Sequence, residues 1–400
     1  MSASATQGRA AGGRSLVFWT VTGLIAVDTI LFTLVVPALP VFAERYGLSN
    51  SEAVLIFAAF PVAQLPVALG AAKLIDRFGR RAGIIGAAVL LLFATAGFAV
   101  VDDPILLVLA RGAQGAAAGL AWTSGIAAIS DVYPNEQLGF RIGLAETAGG
   151  GAGLIGPVVG GVLIGAFGTS TTFALACVLP GVFVVIALFI PETRRVRAAT
   201  VRLTTAFRRI LREPSARAGA ASLIGMAAIL ALLEPLLPLN LVERHDSSPA
   251  IVGLVFSAGL LGYFIGAPLA GRWSDRNGRR PPIIVGGLGL ALTLPLITFG
   301  PPAWVAVWFV AVGGFMAVLG SSSGPLLSKA ADDAGLVGMY GVSSAILVAI
   351  FAAGYALGPL IGAVASAVAP FWLIVVVAAV AVAALASFAY RVLDPERQAT

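Results

Sequence analysis

Long apolar runs separated by short charged connections make up most of the chain. A membrane-spanning helix needs about 20 mainly apolar residues. That ruler marks twelve spans, at 16–42, 52–75, 82–101, 104–130, 141–167, 170–190, 218–243, 249–272, 281–299, 302–329, 336–365 and 369–390. One connection is long: 191–217 carries eight arginines against Glu192 and Glu213. It divides the chain into an N-terminal tail (1–15), a six-helix bundle (16–190), a basic linker (191–217), a second six-helix bundle (218–390) and a C-terminal tail (391–400). The predicted class is an all-α membrane protein with two pseudo-symmetric bundles. A surface amphipathic helix is predicted near Leu203 to Leu211.

Composition agrees. The chain is 59% hydrophobic and 11% charged, whereas soluble domains carry about 25% charged residues. A net charge of +6 would point to nucleic acid in a soluble protein, but here the basic residues lie in loops beside apolar spans, so no nucleic-acid partner is expected. Assigning loops alternately puts 22 of the 25 Lys and Arg on the side of the termini, with Arg45 and Arg244 opposite and Arg111 inside the fourth span. The positive-inside rule then makes both termini cytoplasmic in a multi-pass protein of the cell membrane. The first apolar run is too long for a signal-peptide core, so it reads as a retained helix. A lone cysteine, Cys177, excludes an internal disulfide and a cysteine metal site.

The two halves repeat. Asp76-Arg77-Phe78-Gly79-Arg80-Arg81 returns as Asp275-Arg276-Asn277-Gly278-Arg279-Arg280, 199 positions later. Gly153 to Pro157 answers Gly354 to Pro359, and Pro37-Ala38-Leu39-Pro40 answers Pro235-Leu236-Leu237-Pro238. Parallel repeats of this kind build two-lobed transporters. The turn puts a carboxylate at a helix end and arginines in a tight connection, where ion pairs can form in one state and break in another. It reads as a conformational latch built from Asp76, Arg77, Gly79, Arg80, Asp275, Arg276, Gly278 and Arg279; the plainer alternative is that its arginines only anchor topology. Gly149, Gly153, Gly156 and Gly160, with Pro157, form a small-residue face that permits close helix approach.

Two enzyme-like patterns carry no chemistry. Gly151 to Gly156 fits a dinucleotide fingerprint but neither follows a strand nor opens a helix. Gly320 to Gly324 fits a nucleophile elbow, yet that needs a strand-to-helix turn and a histidine partner, and the only histidine, His245, falls in a connecting loop. No catalytic residue, metal or cofactor is expected. Ionisable groups inside spans are functional candidates by default: Asp28, Arg111, Glu146 and Glu234. A carboxylate in a dry cavity can hold a proton near neutral pH and release it when a cation approaches, which suffices for exchange of protons against an organic cation. Asp28, Glu234 and Arg111 are the proton-coupling candidates, a permanent Asp28–Arg111 pair being the alternative; the role of Glu146 stays open. Phe32 lies one turn from Asp28 on the same face, and Gln114 either orients Arg111 or fills the bundle.

These residues resemble the major facilitator superfamily, within it the twelve-helix drug:proton antiporters. Leu69-Gly70 through Arg81 is similar to that superfamily's loop 2-3 motif and adds Gly70 to the latch. Arg111-Gly112-Ala113-Gln114-Gly115 is similar to its fourth-helix motif, and Gly149 to Gly161 to its fifth-helix antiporter motif. Asp28 with Val35-Val36-Pro37, Leu233-Glu234-Pro235 with Pro238, and Tyr340-Gly341 with Gly354 to Pro359 resemble the vesicular monoamine and acetylcholine transporters. With two lysines against 23 arginines, the chain looks like a bacterial relative. The resemblance implies alternating access, Tyr263, Phe351 and Tyr355 as further cavity residues beside Asp28, Phe32, Gln114 and Glu234, small-molecule substrate and protons as partners, and a monomer in the bilayer. The family's acids in the tenth and eleventh helices align with Gly320 and Val348, and its second-helix lysine with Phe60, which implies a smaller charge network and a looser site. The expected activity is proton-coupled export of hydrophobic or cationic organic compounds, with export of a neutral sugar or amino acid derivative as the alternative.

Overall fold

The computed structural model describes residues 2–100, 102–193, 203–335 and 340–393. The start of the eleventh predicted span (336–339), linker residues 194–202 and tail residues 394–400 lie outside the described residues. The described chain is helical without strands: α1 (Ser2–Tyr46), α2 (Asn50–Phe78), α3 (Arg80–Val100), α4 (Pro104–Val132), α5 (Asn135–Ala176), α6 (Val178–Ala187), α7 (Leu203–Ile210), α8 (Pro214–His245), α9 (Pro249–Asn277), α10 (Arg280–Thr293) with a 3-10 turn at Leu294–Thr298, α11 (Pro302–Gly320), α12 (Ser323–Asp333), α13 (Tyr340–Ser366) and α14 (Phe371–Val392). Apolar segments of sufficient length to cross a membrane recur along the whole chain. Where no water reaches the backbone, helices satisfy their own amides and carbonyls, which explains the absence of anything else at that depth.

The boundary between the fifth and sixth predicted spans, after residue 167, is where α5 breaks: Gly168, with φ of 77° and ψ of 170°, is non-helical, a conformation a side chain would resist, and separates two helical stretches at a kink. The tenth predicted span is likewise divided, into α11 and α12. The predicted amphipathic linker helix is α7, whose last turn carries Arg208 and Arg209.

The chain forms two compact units. One comprises Met1–Gly47, Ile56–Arg197 and Ser248–Gly253; the other Leu48–Leu55, Ala198–Ser247 and Leu254–Thr400. In the first, α5 crosses α1 along the predicted glycine face: a Cβ at Gly149 would press on Ile25, at Gly153 on Thr29, at Gly156 on Thr33 and at Gly160 on Leu34. In the second, Gly354 and Gly358 of α13 bring that helix onto Ile224 and Ala228 of α8. Small residues are what allow membrane helices to pack this closely, since apolar side chains gain nothing by leaving lipid.

Candidate functional site

The first unit encloses a charged cluster. Asp28 on α1 is 3% exposed, and Arg111 and Gln114 on α4 are fully buried. Arg111 does not lock onto the acid. Its Nη1 donates to Gln114 Oε1 and to the Phe32 carbonyl, while Asp28 Oδ1 finds no hydrogen-bond partner among the described residues. Asp28 feels the Arg111 charge at longer range, with the Trp122 side chain beside it. Gln114 thus meets Arg111 directly, as the acceptor of its hydrogen bond.

Three aromatic rings surround the guanidinium. Its central carbon lies 4.6 Å from the Phe32 ring centroid, 4.6 Å from Phe57 and 4.9 Å from Phe60. Each such contact contributes on the order of 0.5–2 kcal/mol, the larger end where water is excluded. A buried arginine otherwise costs several kcal/mol, so the rings offset much of what Arg111 loses in leaving water. Gly115 makes this possible: a Cβ there would strike the Phe60 backbone, so glycine lets α2 approach and present Phe57 and Phe60. The glycine and the arginine of the fourth-helix motif thus serve one structure.

The second unit holds the other acid. Glu234 on α8 is 3% exposed and accepts a hydrogen bond from the Tyr355 hydroxyl on α13. Phe351, one turn before Tyr355, stacks on it with centroids 5.6 Å apart and planes 18° apart. A carboxylate, a hydroxyl and two parallel rings are the groups that hold an organic ammonium ion: charge, hydrogen bond and ring face. Tyr263 lies on α9 and is 38% exposed. Glu146, on α5, is exposed and belongs to neither cluster.

The repeated turns form two ion-pair sites. Gly79 and Gly278 have φ of 96° and 83°, which only glycine adopts readily, and each closes a tight helix connection. At the first turn Arg80 pairs with Asp76 at 2.9 Å and with Asp131 at 2.9 Å. The backbone N–H groups of Arg80 and Arg81 donate to Glu192 at 2.9 and 3.3 Å. At the second, Arg279 pairs with Asp275 at 2.8 Å and donates to Ser274 at 2.9 Å. Arg77 and Arg276 are exposed, the former lying over the Phe78 ring. No neighbour comes within 4 Å of a Cβ built at Gly70. Asp131 is absent from the sequence reading and Glu192 enters it only as a linker charge; an acid at each of two span ends was the available signal. Phe57, Phe60 and Trp122 left no signal, because an aromatic in an apolar run is unmarked.

Comparison with known proteins fits this architecture. The model described as Major Facilitator Superfamily matches residues 21–245 and 219–400. The synaptic vesicular amine transporter of Mus musculus is 26% identical over 356 residues, covering 87% of this chain and 68% of that protein. Its Homo sapiens counterpart is 27% identical over 335 residues, covering 82% and 64%. The probable vesicular acetylcholine transporter-B of Danio rerio is 28% identical over 370 residues, covering 87% and 73%. The chain thus spans about two thirds of the length of the amine transporters it matches. Among solved structures, a bacterial homolog of the human lysosomal transporter Spinster, inward-facing and unoccupied, superposes with a TM-score of 0.73 at 18% identity, covering 95% of this chain and 97% of that one. Resemblance in sequence, two matches to one family model and agreement in fold lead to one conclusion: the chain belongs to the Major Facilitator Superfamily.

Proposed function

We propose that this transporter is a proton-coupled antiporter that exports hydrophobic or cationic organic compounds, amines foremost, by alternating access. The observation that carries the reading is the Glu234–Tyr355–Phe351 cluster, a buried acid furnished with the hydroxyl and ring faces an ammonium needs. The amine-transporter relatives support the same substrate class. Asp28 serves as the proton-coupling carboxylate. Arg111, held by Gln114 and three rings instead of ion-paired to Asp28, stabilises the ionised acid without keeping it permanently ionised. Both termini are cytoplasmic, the membrane is that of the cell, and the halves 16–190 and 218–390 are the two moving bundles.

Reconstituted vesicles test this directly. A pH gradient imposed across proteoliposomes should drive uptake of a lipophilic amine, and Asp28→Asn, which can neither exchange a proton nor balance a cation, should abolish it. Gradient-driven uptake by that variant would overturn the assignment of Asp28. Glu234→Gln should impair dicationic and strongly basic compounds while sparing neutral ones. Equal loss for all charges would make Glu234 a proton carrier, and no loss would make it structural.

A further inference from the structure

A second site lies in the C-terminal unit, at the start of α8, far along that helix from Glu234. The start of α8 and the ends of α12 and α14 converge around a cavity of about 660 Å³. Its wall includes Ser215 and Arg217 from α8, Lys329 and Asp333 from α12, and Phe388 and Arg391 from α14, with Glu213 at its edge. Three cations therefore face two carboxylates. They are not equivalent: Lys329 is taken up by Asp333 at 2.6 Å, whereas no ion pair engages Arg217 or Arg391 among the described residues.

Three features point to an anion in this cavity. First, α8 begins at this cavity, with Pro214 and Ser215 of its first turn in the wall and Glu213 as a cap whose side chain makes no capping bond, so the positive end of a 32-residue helix lies here. Second, Ser215 is only 6% exposed, lines the cavity, and its Oγ has no hydrogen-bond partner among the described residues. A buried hydroxyl without a partner costs free energy that a ligand oxygen would recover. Third, Phe388, at 48% exposure, supplies an apolar wall directly beside the arginines. Helix N-termini with adjoining arginines bind phosphate oxygens, and basic pockets among helices at a membrane surface take anionic headgroups.

We propose that this cavity binds a phosphate group, that of an anionic phospholipid headgroup. Arg217 and Arg391 grip the oxygens, the first turn of α8 and the Ser215 hydroxyl donate to them, and the acyl chains leave over Phe388. The site is independent of the transport reading and stands whichever compound is exported.

Native mass spectrometry of the full chain, taken from bilayers of phosphatidylcholine with a minor fraction of phosphatidylglycerol, tests it. The wild type should retain phosphatidylglycerol at least tenfold over its share of the bilayer. Arg217→Gln with Arg391→Gln should cut that retention at least fivefold, Ser215→Ala by a smaller factor, and Arg217→Lys should preserve most of it. Ser215→Ala and Arg217→Lys also decide the matter should the double variant misfold. Inorganic phosphate is the second arm, read as displacement of the lipid or as thermal stabilisation in detergent. Stabilisation by phosphate with no lipid retained would keep the anion site and assign it to a soluble phosphate. Failure of both probes, or lipid retention untouched by every variant, would overturn the proposal.

Discussion

The two repeated turns share five of six residues, yet they are held by different chemistry. At the first, the Arg80 side chain is 11% exposed and clamped by Asp131, itself 5% exposed, as well as by Asp76. At the second, the Arg279 side chain is 33% exposed and among the described residues pairs with one carboxylate, Asp275, 67% exposed; its Nη1 also donates to the Ser274 hydroxyl, and the Ser322 hydroxyl donates to the Arg279 carbonyl. An exposed pair stabilises by about 0–1 kcal/mol and yields readily to water. A buried pair repays its desolvation only while both partners stay. The first turn is therefore a committed junction and the second an adjustable one. The difference comes from residues outside the duplicated segment, so a repeat in sequence need not be a repeat in energetics.

The largest effect should follow removal of the residue that makes the difference. Asp131→Ala leaves the buried Arg80 guanidinium with the Ile75 carbonyl and one exposed carboxylate, Asp76, and should cost about 3–5 kcal/mol, seen as a marked fall in thermal stability of the purified protein. The matching change at the second turn, Ser322→Ala, removes a neutral hydrogen bond and should cost about 1 kcal/mol. Equal losses would erase the distinction between the turns.

A glycine pair gives the next largest contrast. Alanine at either Gly79 or Gly278 must adopt a positive φ, a strain of about 1–2 kcal/mol. At Gly79 the new Cβ would also collide with the Glu192 carboxylate, whereas nothing lies within 4 Å at Gly278. Gly79→Ala should therefore lower the melting temperature clearly more than Gly278→Ala, and the reverse order would show that Glu192 simply moves aside.

How far the sequence reveals all this depends on what kind of mark each residue leaves. The twelve spans, the duplication and the buried acids are legible because charge inside an apolar run is conspicuous and helix length is set by the membrane. The break at Gly168 is legible as the span boundary after residue 167; that a single glycine makes it is not, since one glycine among 48 looks like another. Asp28, Arg111 and Glu234 are visible for the same reason that Phe57 and Phe60 are invisible: the rings that hold the arginine look like lipid-facing residues until α2 is laid against α4. Asp131 and Glu192 stand at span ends, where acids are ordinary, and only the three-dimensional return of the chain to Arg80 gives them a task. The contact of Gln114 with Arg111 shows only in three dimensions, as a hydrogen bond.

A gentler change probes the other outside residue. Glu192→Gln keeps an acceptor for the Arg80 and Arg81 amides but removes the negative charge at the start of α3, where a carboxylate contributes about 0.3–1 kcal/mol against the helix dipole. Stability should fall by about that amount, and less at high salt. A loss as large as that of Asp131→Ala would make Glu192, not Asp131, the residue that commits the first turn.

The smallest effect on stability, and the sharpest test of the latch, comes from the two repeated acids themselves. Asp76 and Asp275 are both largely exposed, at 70% and 67%, and both pair with the arginine four residues on. Each alanine substitution should therefore cost no more than about 1 kcal/mol. Transport can still respond, because breaking and remaking a pair during turnover depends on small differences between states. Turnover in proteoliposomes should fall in both variants, while equilibrium affinity for an amine stays within a few-fold, since each acid lies at a helix end, remote in sequence from the site residues. Asp76→Ala leaves Arg80 held by Asp131, so the first turn should stay shut once closed and the variant should be slow to open; Asp275→Ala leaves Arg279 with no carboxylate among the described residues, so the second turn should close poorly. Adding Asp131→Asn to Asp76→Ala would then make the first turn behave like the second. A double variant no different from Asp76→Ala alone would mean that Asp131 holds the fold and takes no part in the latch.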